Sequence, residues 1–198
     1  MESKERVRLA LAHREPDRVP FDLGGTVVTG IHVHAYRRLR EYLGLPEREP
    51  EIVHLFQQLA WVDQDVLEQL GVDVRNVSPG PSSGFQGQIS ESEDGGYYEF
   101  FDEFGAGWKM PRDGGMYFDL FHHPLSGEIT SAEIDAHPLP DPVDPARFEG
   151  LREAALRVLN EEKKALVVEN MSAGIFELYM FNRGFADGYA DWAGNQSL

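Results

Sequence analysis

Between Val19 and Tyr36 the chain reads VPFDLGGTVVTGIHVHAY, an apolar run that ends in a carboxylate and passes through a Gly-Gly pair to two threonines and two histidines. This is the pattern of a strand delivering polar groups into a loop. Where strands alternate with helices, ligands sit at the carboxyl ends of the strands. Asp22, Gly24, Gly25, Thr26, Thr29, His32 and His34 therefore hold site-like positions. Two more strand ends carry polar residues. Arg75 and Asn76 stand near the end of VDVRNV, and Glu169, Asn170 and Ser172 close ALVVENM. Asp22 and Glu169, one carboxylate on each of two strands, are candidates for an acid and base pair. His32 and His34 have the spacing of metal ligands on an extended segment, but here they enter a helix, where positions i and i+2 diverge by about 200°. A ligand contact and a structural role both stay open for them.

The elements that must position these residues follow from periodicity and punctuation. Ser3 opens a first amphipathic helix that Pro16 stops, and Val19 to Leu23 is the first expected strand. A helix from about Ile31 ends at Gly44, its apolar residues Ile31, Ala35, Leu39 and Leu43 spaced by four. Pro50 opens a long helix running to Gly71, and Val72 to Val77 is the second strand. From Ser82 to Leu125 turn residues such as Asp94-Gly95-Gly96 and Asp113-Gly114-Gly115 separate short aromatic runs, which predicts an inserted antiparallel β-hairpin region. Its rings bury one face or line a pocket. Thr130 to Asp144 is rich in proline and reads as a connector with little regular structure. A helix from about Pro145 to Lys164 precedes the third strand, Ala165 to Met171, a nearly continuous apolar run of the kind buried on both faces of a parallel sheet. Ala173-Gly174 opens a last helical segment, IFELYMFNRGF, and the sequence finishes Gly194-Asn195-Gln196-Ser197-Leu198.

Composition bounds the function. The 198 residues, 41% hydrophobic and 26% charged, suit one globular domain or part of one. Acidic residues outnumber basic ones 34 to 18, without a Lys/Arg cluster, which argues against nucleic acid and anionic membranes as partners. Cysteine is absent, so disulfides, thiolate metal sites and cysteine nucleophiles are excluded from this sequence. There is no signal-peptide pattern at the start, and no run approaches the roughly 20 apolar residues of a membrane span, so a cytoplasmic location is expected.

Three parallel strands, each followed by helix, make an α/β chain and a partial (β/α)8 TIM-type barrel carrying the inserted hairpins at 82–125 within one domain, 1–198. Its stretches ERVRLALAHREPDRVPFDLGG, LEQLGVDVRNV, ARFEGLREAAL and ALVVENMSAGIFELYMFNRGFADGY resemble the uroporphyrinogen decarboxylase superfamily, in the decarboxylase-like branch that also holds corrinoid methyltransferases. The likeness spans nearly the whole chain but only about the N-terminal half of such a protein, which implies five further strands elsewhere. It also implies a carbon–carbon lyase of tetrapyrrole (heme/porphyrin) metabolism. The family's Arg-x-Ala-Gly-Arg is replaced here by Gly24-Gly25-Thr26-Val27-Val28, and Ser78-Pro79-Gly80 stands where its catalytic Asp follows the second strand. Tyr179 lies one position from the family's active-site tyrosine.

The catalytic residues therefore stay unassigned, while Asp22, Gly24, Gly25, Thr26, His32, Arg75, Asn76, Glu169, Asn170 and Tyr179 are the candidate substrate-binding set. The expected partner is a small molecule, tetrapyrrole or corrinoid-linked. No cofactor is expected in this segment, because the zinc of the methyltransferases is held by His and Cys of the other half. Three alternatives stand beside the lyase. One is corrinoid-dependent methyl transfer. The second is a non-catalytic barrel piece that pairs its open sheet edge with a partner chain or, as a homodimer, with itself. The third is a hydrolase whose metal is held by His32 and His34.

Overall fold

The computed structural model describes residues 1–171 and 173–194. Ser172 and residues 195–198, named above, lie outside the described residues. The fold is mixed α/β, with one parallel two-stranded sheet, two antiparallel sheets and no closed barrel among the described residues. The chain divides into two compact units, 1–79 with 148–169, and 80–147 with 170–198.

In the first unit, α1 (Ser3–Leu11) forms as its pattern predicts, although Ser3 caps nothing. Its hydroxyl instead donates to Asp73 Oδ1 at 2.8 Å. The expected strand Val19 to Leu23 does not form a ladder. Phe21 alone pairs with the chain before β3 (Val74–Val77): its carbonyl accepts from the Asp73 amide at 2.8 Å, and its own amide donates to Asp73 Oδ2 at 2.9 Å. A carboxylate thus takes the place of the next ladder carbonyl, and the chain turns away. The parallel sheet of the described residues consists of β3 and β8 (Ala165–Val168), in register Val74↔Ala165 to Val77↔Val168.

The helix expected from about Ile31 is α2 (Val33–Tyr42), preceded by a 3-10 turn at Val27–Thr29. The long helix expected from Pro50 is a correction. Ile52–His54 (β1) and Leu59–Ala60 (β2) form a hairpin instead, and only Gln64–Leu70 (α3) is helical. β-branched Ile52 and Val53 favour the extended start. The hairpin also finds partners that periodicity cannot reveal: the Ala60 amide donates to the Ile31 carbonyl at 2.9 Å, and the Val33 amide to the Gln58 carbonyl at 3.0 Å. Val33, Tyr36, Ala60, Val62, Val66, Leu67 and Val72 make the core below. Before β8 the expected helix is shorter than its pattern: Pro145–Phe148 is 3-10, Leu151–Arg157 (α5, numbered after α4 below) is α-helical, and the last turn loosens to π over Val158–Glu162.

In the second unit the hairpins form an antiparallel meander of β4 (Ser90–Glu91), β5 (Tyr97–Phe101), β6 (Gly107–Pro111) and β7 (Asp119–His122), within the expected 82–125. Asp102 holds the β5–β6 turn, accepting from the Phe104 and Ala106 amides and from the Trp108 indole at 2.9 Å. Phe100, Trp108 and Phe118 are buried beneath one face, as alternation on a half-covered sheet requires. The proline-rich connector holds a short helix that its composition did not suggest, α4 (Ser131–Ala136), because Thr130 and Glu133 form a capping box. The last segment breaks at Gly184 (φ 82°) into α6 (Ile175–Arg183) and α7 (Phe185–Gly194).

Candidate functional site

The polar residues that cluster are those at the carboxyl ends of β3 and β8. Glu169 follows β8 directly, and its carboxylate accepts from three donors on two separated segments. Oε1 takes the Val27 amide at 2.7 Å, and Oε2 takes the Asn76 side-chain amide at 3.2 Å and the Ser78 hydroxyl at 3.1 Å. Asn76 also donates to Ser78 Oγ at 3.0 Å. One carboxylate therefore ties the loop after Val19–Leu23 to both strand ends.

That loop is shaped by Asp22 and the glycine pair. Asp22 Oδ1 accepts from the Gly25 amide at 2.9 Å, and the Gly24 amide donates to the Thr29 carbonyl at 2.9 Å. Gly24 is the more constrained of the two. Gly24 sits at φ +75° with a Cβ position 2.8 Å from Val62, and a Cβ on Gly25 would meet Asp22 Oδ1 at 2.3 Å. Asp22 is thus consumed in building the loop. Thr26 Oγ1, next to the bonded Val27 amide, is buried and has no protein partner. A buried orphan hydroxyl at a loop tip is a position where a ligand or water completes the site.

His54, at the end of β1, is held below the ordinary histidine range by burial, with the charge of Glu169 opposing that shift. His32 Nδ1 accepts from the His34 amide at 3.2 Å, which makes His32 the N-cap of α2, and the two rings meet edge to face at 4.8 Å. Among the described residues no group of three or more His, Cys, Asp or Glu stands as a metal site.

The other sequence candidates lie elsewhere. Arg75, one residue from Asn76 and so on the opposite face, gives its Nε to Glu162 Oε2 at 2.6 Å. Asn170 and Tyr179 belong to the second unit. The Tyr179 hydroxyl donates to Asp191 Oδ2 at 3.0 Å, and burial and the Asp191 charge push its pKa up. Three participants escaped the sequence reading. Ser78 had a signal, as the first polar residue past β3. The Val27 amide had none, being backbone, and His54 was hidden by the helical pattern assigned to its segment.

Compared with protein families, with curated proteins and with solved structures, the chain has no match. Among the described residues no helix is long and apolar enough to cross a membrane. Fold and site define a mixed α/β protein whose parallel strand ends gather a carboxylate, an amide and two hydroxyls around a glycine-built loop.

Proposed function

We propose that the chain is part of a uroporphyrinogen decarboxylase-like protein, a (β/α) barrel in which β3 and β8 are neighbouring strands and the cluster at their carboxyl ends binds a small-molecule substrate. The observation that carries this reading is the convergence of Val27, Asn76 and Ser78 on Glu169. Parallel α/β sheets place ligand-binding groups at that end.

The charge of the cluster bears on the chemistry. Holding the carboxylates of a tetrapyrrole calls for converging cations. The arginines of this unit nearest in sequence are committed: Arg75 to Glu162, and Arg6 and Arg18 to Asp73. What the rim offers is an acceptor, Glu169, and the orphan hydroxyl of Thr26. Such a rim suits a macrocycle edged with carboxamide donors, and this favours the corrinoid-dependent methyltransferase branch. Lyase action on a carboxylated tetrapyrrole is the second reading, supported by the family-like entry ERVRLALAHREPDRVPFDLGG.

Titration of the protein with hydroxocobalamin and, separately, with uroporphyrin, followed by visible absorbance, tests both. Cobalamin binding weakened about tenfold by Glu169→Ala is the expected result. Preferential uroporphyrin binding would shift the assignment to the lyase, and failure of both macrocycles to bind would reject the proposal.

A further inference from the structure

Helix α7 is built inside out. Its carboxylates point into the second unit: Asp187 Oδ2 accepts from the Gly127 amide at 2.5 Å, and Asp191 Oδ2 pairs with Arg183 Nε at 2.7 Å. Its large rings point outward. Phe185, Tyr189 and Trp192 recur at i, i+4 and i+7 and are 48%, 53% and 57% exposed. Phe176 of α6 closes on Trp192 at 5.3 Å between ring centroids, and Tyr179 stacks on the same indole at 5.6 Å. A solvent-facing helix has the reverse polarity, and contiguous exposed rings mark surfaces that meet another apolar surface.

We propose that this face docks a basic amphipathic helix. Anchors at i, i+4 and i+7 span about 10 Å of helix axis, the length over which a partner helix presents its own i, i+3/i+4 and i+7 side chains. Charge selects the partner. Arg183, the cation of these two helices, is buried against Asp191, whereas Glu177, next to Phe176 in sequence on α6, is exposed. The chain as a whole carries a net charge of −16, so a second copy would bring like charge against like. Lysines or arginines flanking an aliphatic stripe meet both features. The inference uses only residues of α6 and α7 and the turn beneath them, and it stands apart from the ligand assigned to the strand ends.

The test is titration of the full chain with a synthetic helix bearing leucines at i, i+3, i+4 and i+7 and lysines elsewhere, followed by tryptophan emission and sedimentation. Binding with a blue shift is expected, reduced about tenfold or more by Trp192→Ser and also by Glu177→Lys, which leaves the rings intact. Tyr42→Ser, at an exposed ring on α2, serves as the control and leaves affinity unchanged. Equal binding of the leucine/glutamate counterpart would overturn the proposal. So would equal affinity of the Trp192→Ser and Tyr42→Ser proteins, or a dimer of the chain that Trp192→Ser dissociates.

Discussion

The side-chain amide of Asn76 stands 3.2 Å from Glu169 Oε2, so the last polar residue of one parallel strand holds the first residue beyond the other. Register places Asn76 opposite Val167, and the pair closes the sheet where the loop carrying Thr26 and Val27 arrives. Glu169→Ala removes the common acceptor of three donors and is expected to cost about 1–3 kcal/mol. Chemical denaturation measures the loss. Amide hydrogen exchange should localise it, with Val27 losing protection while the β5–β6 hairpin keeps its own. Glu169→Gln, which retains one acceptor oxygen, should lie between.

Gly24→Ala combines a left-handed backbone with a Cβ that meets Val62, whereas Gly25→Ala meets only the Asp22 carboxylate, which can rotate away. The first substitution is expected to destabilise by about 1–3 kcal/mol and the second by less, since a side chain yields more readily than a core valine and a strained φ. Thermal melts of the two variants give the order. A larger loss from Gly25→Ala would contradict the loop geometry.

Asp73 is fully buried between Arg6, Arg18, Ser3 and the Phe21 amide. Burial pushes its carboxyl up, and the Phe21 amide, the Ser3 hydroxyl and the two guanidiniums more than reverse this, so its folded pKa lies below the ordinary value. A depressed carboxylate pKa stabilises the fold above the unfolded value of about 3.9, and that contribution disappears as pH falls through the folded value. Acid unfolding should therefore begin below about pH 4, with the wild-type advantage over Asp73→Asn shrinking in the same window. At pH 7 Asp73→Ala leaves Arg6 buried without this partner and is expected to cost about 3–5 kcal/mol. Urea midpoints across pH 2–7 check both statements.

Arg183 performs the matching task in the second unit. It donates to the carbonyls of Leu125 and Gly127 as well as to Asp191, whose carboxyl it holds below the ordinary range. Arg183→Met is expected to loosen the turn after β7, leaving two carbonyls without this donor and Asp191 without its cation, at a cost of about 2–4 kcal/mol. The Tyr179–Asp191 bond should persist. Near-ultraviolet circular dichroism of the ring cluster around Trp192 reports whether α7 stays seated.

By itself the sequence determined the elements whose signals are local. Turn glycines with aspartates set the β4–β7 meander, the apolar run ALVV set a parallel strand, and the Gly-Gly pair after Asp22 marked a loop, because these signals are properties of a few consecutive residues; burial of that strand on both faces did not follow, since Val168 is 60% exposed. It also singled out Asn76 and Glu169, since polar residues ending buried strands are visible in order alone. Tertiary structure decided the rest. Apolar residues from Ile52 to Leu70 fit a helix as well as a hairpin and a short helix, and hydrogen bonds to Ile31 and Val33 chose between them. The segment Val19 to Leu23 had a strand's composition, but the Asp73 side chain occupies the backbone donor that would have continued the ladder. Arg75 and Asn76 are adjacent in the chain and end on opposite faces, one spent on Glu162 and the other on Glu169. Which partner a polar group meets is a matter of distance between remote segments, and that is fixed only when the chain has folded.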